Sequence, residues 1–257
     1  MVTMMRQVKL ADYELEEFLR CPHKYVHKHE HHLNQDHLNW RQLVQYAVNH
    51  AIHDYYSLPP ESRTAAGIRS FLERQWTNKV RLFESFPHFH RVKAMVTEHL
   101  VRELTSLPLE TPPILLFESI SAWIDELRAE ISLIVQLAYW SGESYTIRKF
   151  MVGEDPAVIP AFFHMTSVMA HRAFGKLPEQ IEVVTLLTGQ KQTYRPQDEE
   201  LEASIDYLRL ASRLFQEKTV HVKREADYEC TACPFTERCP RGTESISAGA
   251  RGRKSWH

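Results

Sequence analysis

The chain has 257 residues, of which 43% are hydrophobic and 25% are charged, and its formal net charge at pH 7 is −2. This length allows one large domain or two small ones, and the near-neutral charge excludes a global attraction to nucleic acid. The sequence has no apolar run of the roughly 20 residues that span a membrane and no signal peptide, so we expect a cytoplasmic protein without a membrane partner.

Helical spacing of apolar residues dominates the first 110 residues. The stretch ADYELEEFLRC predicts a short helix that is capped by Asp12 and ends at Cys21 and Pro22. A second helix is predicted from about Trp40 to Leu58, before the SLPPESR segment. Two further helices are predicted in GIRSFLERQWTNKVRLF and RVKAMVTEHLVRELTSL, and the PLETPP segment ends this part of the chain.

Strand-forming residues become frequent after that break. The stretch from Pro113 to Gly153 predicts a meander of about three or four strands, with SGES as a turn between two of them. A helix closed by Gly175 follows, then a strand in QIEVVTLLTGQKQTY that leads into a turn, and then a charged helix in DEELEASIDYLRLASRLFQEK. This order predicts an α/β core wrapped by helices.

These patterns predict a single domain over residues 1–243, followed by a flexible basic tail over residues 244–257. Within the domain, we expect a mainly helical part over residues 1–110 and an α/β core over residues 111–220. Residues 221–243 form a separate segment that carries most of the cysteines.

Three of the four cysteines lie close together as Cys230-x2-Cys233-x5-Cys239, and the fourth is Cys21. In a reducing compartment such cysteines favour metal binding over disulfides, and four thiolates suit zinc or an iron–sulfur cluster. Zinc fingers and ribbons usually offer a second close pair of ligands, whereas the fourth cysteine here is more than two hundred residues away. The spacing favours a structural metal site that closes the whole fold.

Two cysteine motifs, DYELEEFLRCPHKY around Cys21 and CTACPFTERC over residues 230–239, resemble those of the iron–sulfur branch of the RecB-like PD-(D/E)XK nuclease superfamily. That branch includes AddB nuclease domains and CRISPR-associated four-cysteine exonucleases. The resemblance implies a restriction-endonuclease-like core, in which helices flank a mixed sheet. It also implies a four-iron, four-sulfur cluster on Cys21, Cys230, Cys233 and Cys239, with structural zinc as the alternative.

The catalytic motifs of that superfamily are degenerate in this sequence. The resemblance places a helix histidine at His50, but it aligns the aspartate with Ser132 and the two residues of the D/E-x-K pair with Arg148 and Phe150. No lysine in the chain has an aspartate or glutamate two positions before it. Without carboxylates the site lacks the oxygen ligands that a divalent metal needs, so we expect no catalytic residues.

A migrated active site is the alternative that the sequence leaves open. Asp125, Glu126 and Glu130 lie in WIDELRAE and are surface charges in the simpler interpretation. If Asp125 or Glu130 had taken over catalysis with His50, the protein would be a DNA exonuclease dependent on Mg²⁺ or Mn²⁺. The segment HKHEHHLNQDH has mixed histidine spacing, which is more typical of a solvated segment than of a metal site.

The sequence thus supports a catalytically inactive iron–sulfur protein that binds DNA or acts as a scaffold in a DNA-processing complex, in repair, recombination or mobile-element defence. There is no G-x-x-x-x-G-K-[ST] loop, so a helicase or nuclease partner would be a separate chain. A purely structural interaction protein is a further hypothesis. Basic residues near the cysteines would contact DNA phosphates: Arg20, Lys24, Lys28, Arg238 and Arg241.

Overall fold

The computed structural model describes residues 8–30, 39–106 and 112–217, together with residues 230, 233, 235 and 239. Its helices are α1 (Asp12–Arg20), α2 (Pro22–Glu30), α3 (Trp40–Ser57), α4 (Ala65–Gln75), α5 (Phe86–Thr105), α6 (Val158–Phe174) and α7 (Leu201–Gln216). Its strands are β1 (Val8–Ala11), β2 (Pro113–Ile124), β3 (Ala129–Ser141), β4 (Ser144–Met151), β5 (Gln180–Thr185) and β6 (Gln190–Tyr194).

The six strands form one mixed sheet with β3 at its centre. Strand β3 pairs with β2 in antiparallel fashion along one edge. Along its other edge it pairs first with β1, which is parallel to it, and then with β4, which is antiparallel. Strand β5 is parallel to β4, and β6 completes the sheet through an antiparallel hairpin. The predicted α/β fold, a mixed sheet flanked by helices, is confirmed.

Apolar side chains cover both faces of this sheet. One core cluster joins α3, α4 and α5 to sheet residues that include Leu137, Phe150 and Val184. The other joins α1, α6 and α7 to residues that include Ile131, Ile147 and Val183. Successive side chains of a strand point to opposite faces, so β4 contributes Phe150 to one core and its neighbours Ile147 and Met151 to the other.

A smaller cluster brings the N-terminal helices against the end of α7. The Phe18 ring lies 5.8 Å from Tyr25 and 5.6 Å from Phe215, measured between ring centroids. Tyr25 and Phe215 are 5.2 Å apart, so the three rings form one aromatic group. This group places Cys21, between Phe18 and Tyr25, near the end of the last helix that the structure describes.

Side-chain caps explain where several helices begin. A capping box between Asn39 and Gln42 starts α3, and Ser85 accepts the backbone N–H of His88 at the start of α5. Two turns require a left-handed backbone: Gly142, with φ of 59°, joins β3 to β4, and Gly175, with φ of 66°, ends α6. The predicted turn in SGES and the predicted helix end at Gly175 are confirmed.

Two local predictions need correction, and two elements were missed. Asp12 does not cap α1 but is its first residue and is buried. The predicted helix in GIRSFLERQWTNKVRLF ends at Gln75, and the next helix begins at Phe86 because Ser85 caps it. Helix α2 and strand β1 were not predicted at all; β1 has only four residues and depends on pairing with β3.

Within the described ranges, no helix is both long enough and apolar enough to cross a membrane. The predicted basic tail over residues 244–257 lies outside those ranges, as does most of the segment over residues 221–243.

Candidate functional site

Cys21 occupies the junction between α1 and α2, and its backbone and side chain contact both helices. Its N–H donates to Glu17 O at 3.2 Å, which ends α1, and its carbonyl accepts from Tyr25 N at 3.0 Å. The Lys24 N–H donates to Cys21 Sγ at 3.4 Å. The sulfur therefore lies at the N-terminus of α2, where the backbone amides and the helix dipole favour negative charge.

The structure places Cys21 near C-terminal cysteines, and all four cysteines are partly exposed thiols. Burial raises the pKa of Cys21, and the negative charges of Cys233 and Cys239 raise it further. Burial likewise raises the pKa of Cys233, and the negative charges of Cys230 and Cys239 raise it further. These interactions act over short distances, so Cys21 lies near cysteines that are more than two hundred positions away in the sequence.

An aromatic contact anchors the C-terminal cysteines to α2. The His27 ring of α2 stacks on Phe235 with a centroid distance of 5.6 Å, and Phe235 is buried. Phe235 lies between Cys233 and Cys239. The contact places Phe235 beside α2, and a backbone hydrogen bond from Cys233 N to Cys230 O at 3.3 Å joins two of the cysteines.

The donor types in this region fit a group ligated by thiolates. Thiols from two distant parts of the chain lie near the N-terminus of α2, and Lys24 lowers the pKa of both Cys21 and Cys233 by its positive charge. Across the part of the chain that the structure describes, no three or more histidine, cysteine, aspartate or glutamate side chains are grouped as ligands of a single metal ion. Binding to the protonated thiols would release protons.

Two of the basic residues predicted to bind DNA are paired with glutamates. Arg20 Nη2 lies 2.9 Å from Glu16, and Lys28 Nζ lies 2.8 Å from Glu17. These ion pairs reduce the positive charge that Arg20 and Lys28 offer to a phosphate. Lys24 stays beside the cysteines, whereas Arg238 and Arg241 lie outside the described residues.

A cluster of side-chain amides lies on the sheet where β3 and β4 diverge. The Gln136 side chain accepts the Phe150 N–H at 2.7 Å and donates to the Phe150 carbonyl at 3.3 Å. From α3, Gln45 donates to the same carbonyl at 2.9 Å and accepts the Val152 N–H at 3.0 Å. Gln45 also donates to Asn49 at 2.9 Å. Uncharged side-chain amides thus form hydrogen bonds with the backbone of Phe150 and Val152.

The four positions predicted to be vestigial have different surroundings in the structure. Ser132 is partly exposed and pairs with Ala11 and Ser121 in neighbouring strands. His50 contacts Tyr46 on its own helix, with a centroid distance of 4.2 Å. Phe150 is completely buried in the core against α3.

Arg148 belongs to a buried ionic network. Its Nε donates to Glu182 at 2.6 Å and its Nη2 donates to the Tyr139 hydroxyl at 3.0 Å, while Lys191 lies 3.3 Å from the other oxygen of Glu182. Burial alone would lower the pKa of Arg148, but Tyr139 and Glu182 raise it overall, so the guanidinium stays charged. Arg148 and Glu182 are direct partners in the pairing of β4 with β5.

The other residues considered for catalysis also have partners. Asp125 accepts the Trp123 indole N–H at 2.9 Å, Glu126 pairs with Arg172, and Glu130 lies 3.1 Å from Lys9. In α6, the ring of His164 contacts the Ser204 hydroxyl at 3.0 Å, and burial lowers the pKa of His164.

Beneath α1, a second polar cluster penetrates the opposite core. Glu16 lies 2.9 Å from Lys149 Nζ, and Lys149 is also 4.7 Å from the centre of the Phe162 ring. Burial would raise the pKa of Glu16, but Lys149 and Arg20 lower it from 4.5 to about 2. Asp12 lines a cavity of about 10 Å³ with Glu16 and Lys149, and burial raises the pKa of its carboxyl.

These shifts predict an acid-dependent loss of stability. The folded-state pKa of Glu16 lies below its unfolded value, so its contribution is present above about pH 4.5 and is lost as the pH falls toward 2. The contribution of Glu16 to the free energy of unfolding is at most about 3 kcal/mol. The raised pKa of Asp12 makes its own contribution change with pH in the opposite sense. We expect the free energies of unfolding of E16Q and the unsubstituted protein, measured in urea, to differ at pH 5. The two values should converge below pH 3. The exposed control E61Q should follow the unsubstituted protein, and a difference independent of pH would contradict the assignment.

The amide cluster is the feature that sequence reasoning missed. Gln45, Asn49 and Gln136 are common residue types, and no motif marks them. Their spacing on α3 does place Gln45 and Asn49 one helical turn apart on one side of the helix, which is the only signal that the sequence offers. The role of Glu182 likewise depends on strand register, which the sequence does not specify.

Comparison with known proteins gives no match in sequence and a weak likeness in structure. No family model matches the chain, and no curated protein matches it. Among solved structures it is similar to one described as "Crystal structure of SSO0001", with 12% sequence identity and a TM-score of 0.34 over 89% of this chain and 95% of that one. A likeness at this level carries no argument about function.

Proposed function

We propose that this chain is a catalytically silent protein with a PD-(D/E)XK nuclease-type core, and that it binds DNA or acts as a scaffold in a DNA-processing complex. The mixed sheet between two helical layers is compatible with such a core. The cysteine motifs around Cys21 and Cys230 carry the resemblance to the iron–sulfur branch of that superfamily. The partner would be a helicase or nuclease subunit on a separate chain.

The observation that carries the proposal is the amide cluster around Phe150. A divalent metal that activates water for phosphodiester cleavage needs carboxylate oxygens, and Gln45 and Gln136 supply neutral amides instead. Both amides are already engaged in hydrogen bonds to the backbone of β4, and the Phe150 side chain fills the adjacent core. A metal ion at this point would displace those bonds and gain no charged ligand.

In this proposal the cysteines hold a structural group. Cys21, Cys230, Cys233 and Cys239 would bind a four-iron, four-sulfur cluster, or zinc in its place. When bound, the group supplies a cross-link and no step of catalysis. Residues of this chain would support the group. The N-terminus of α2 and Lys24 stabilise thiolate charge, and the stacking of His27 on Phe235 holds the two parts of the site together.

DNA binding would depend on local charge beside the cysteines. Lys24 is the described residue best placed for it, because Arg20 and Lys28 already pair with glutamates. Salt weakens such contacts, since binding to phosphates releases condensed counterions. A migrated active site receives less support, because Asp125 and Glu130 both have close partners at the surface.

A cleavage and binding assay tests the proposal. Full-length protein purified without oxygen should not cleave labelled single- or double-stranded DNA with Mg²⁺ or Mn²⁺, and it should bind DNA less tightly as salt rises. We expect K24A to weaken binding and to reduce the slope of log affinity against log salt by about one, whereas K79A, which removes an exposed lysine elsewhere, should not.

Two outcomes would overturn parts of this proposal. Metal-dependent cleavage that disappears in a D125A/E130A variant would establish a migrated active site. Absence of both cleavage and DNA binding would instead leave only the scaffolding role, and the search would turn to protein partners.

A further inference from the structure

Helix α1 connects the cysteine region to the middle of the sheet. At its C-terminal end, Cys21 follows Arg20 directly, and five residues earlier Glu16 contacts Lys149 of β4. At a rise of about 1.5 Å per residue, Glu16 and Cys21 are separated by about 7.5 Å along the helix axis. A contact that holds Glu16 in place therefore also restricts the position of Cys21.

The contact between Glu16 and Lys149 is a shielded ion pair. Only 10% of the Lys149 side chain and 24% of the Glu16 side chain are exposed, and the two atoms are 2.9 Å apart. Lys149 also lies over the Phe162 ring of α6, so α1, β4 and α6 meet at this ammonium group. Glu16 uses its other oxygen to accept from Arg20 at 2.9 Å, and Arg20 is the residue that precedes Cys21.

Helix α1 needs such a constraint because it has only nine residues. Helices of that length are marginal in water, so tertiary contacts determine where the helix lies. Leu15 and Phe18 supply apolar contacts, which have no preferred direction and allow small rotations and shifts. An ion pair fixes the helix more narrowly, because its energy depends on the distance between two defined atoms.

We propose that Glu16 and Lys149 are positioning residues of the cysteine site. Their ion pair fixes α1 against β4, so Cys21 Sγ is held where it can meet Cys233 and Cys239 before a metal or cluster binds. Removing the pair lets α1 shift and raises the cost of bringing Cys21 to the other ligands. This inference rests on the proposed structural metal site and extends it to residues that do not ligate the metal.

The experiment measures how fast the purified full-length protein releases its metal. Protein is prepared without oxygen, and release is followed with bathophenanthroline for iron or with 4-(2-pyridylazo)resorcinol for zinc. Replacing residues that orient metal ligands commonly costs ten- to a hundred-fold in metal affinity, so we expect K149M and E16Q to release metal about ten times faster. K149M is the cleaner variant because it leaves the contact between Glu16 and Arg20 in place.

Three further proteins separate positioning from general stability. K149R keeps a cation beside Glu16 and should release metal at close to the original rate. The double variant E16Q/K149M should release it no faster than the faster single variant, because either change removes the same pair. I68V serves as a control, since Ile68 is completely buried in the opposite core and its truncation destabilises the protein without touching α1.

The outcomes test the positioning role of Glu16 and Lys149 separately from the proposed structural metal site. If the unsubstituted protein carries neither iron nor zinc, the structural metal site itself is wrong, and the positioning role fails with it. If metal is present but E16Q and K149M release it at the original rate, the positioning role alone is wrong. Equal acceleration in I68V would also overturn it, because the effect would then follow overall stability.

Discussion

Replacing Cys21 by alanine is expected to lower the melting temperature of the metal-loaded protein by about 10–20 °C. A cross-link between residues 21 and 239 closes a loop of roughly 220 residues, and closure of such a loop in the unfolded chain is worth about 5 kcal/mol on the scale of disulfides. The effect should reach the whole fold, because Cys21 lies between two helices that pack against α7. Thermal unfolding followed by circular dichroism measures it.

Chelator treatment supplies the control for this prediction. The stripped forms of C21A and of the unsubstituted protein should unfold at nearly the same temperature, because neither then has the cross-link. Loss of a thiol alone would lower both forms of C21A equally. A melting temperature for loaded C21A that matches the loaded unsubstituted protein would show that Cys21 does not tie the ends of the chain together.

Replacing Glu182 by leucine is expected to destabilise the protein by about 3–5 kcal/mol. The change leaves Arg148 charged and buried, with only 3% of its side chain exposed, and without its carboxylate partner. An uncompensated buried charge is far more costly than the ion pair it came from. The midpoint of urea unfolding at pH 7 gives the loss of stability directly.

Two variants show whether the cost comes from the unpaired charge. E182L/R148M replaces both charges by apolar groups and should recover most of the stability, so the two single effects should not add. K191A removes the more exposed partner of Glu182, because 41% of the Lys191 side chain is accessible. This variant should lower the free energy of unfolding by less than about 1 kcal/mol. Additive losses in E182L and R148M would mean that the two residues contribute independently.

The parts of the fold that were predictable are those governed by local chemistry. Gly142 and Gly175 mark a turn and a helix end because their backbone is left-handed, and the sequence shows both. The start of α5 was missed, although Ser85 as the cap and Pro87 in the first turn are a start signal of the same local kind. Strand β1 could not be predicted, because four residues form a strand only when β3 lies beside them.

The site was predictable only where residue types are rare. The metal site inferred from the four cysteines stays a prediction, and the structure supports it only in that Cys21 lies near Cys233. The polar cluster on the sheet was not predictable, because it depends on which residues of β3 and α3 face Phe150. Arg148 and Glu182 meet through strand register, and a register is fixed by side-chain packing over the whole sheet.

The two hydrogen bonds of Gln136 have a consequence for how this protein can evolve. A single nucleotide change converts a glutamine codon into a glutamate codon, so an acid at this position is within easy genetic reach. A carboxylate can accept the Phe150 N–H, as Gln136 does now, but it cannot donate to the Phe150 carbonyl without taking up a proton. A glutamate at position 136 would therefore be a buried charge that loses one of the two hydrogen bonds, so folding stability disfavours an acid at this position.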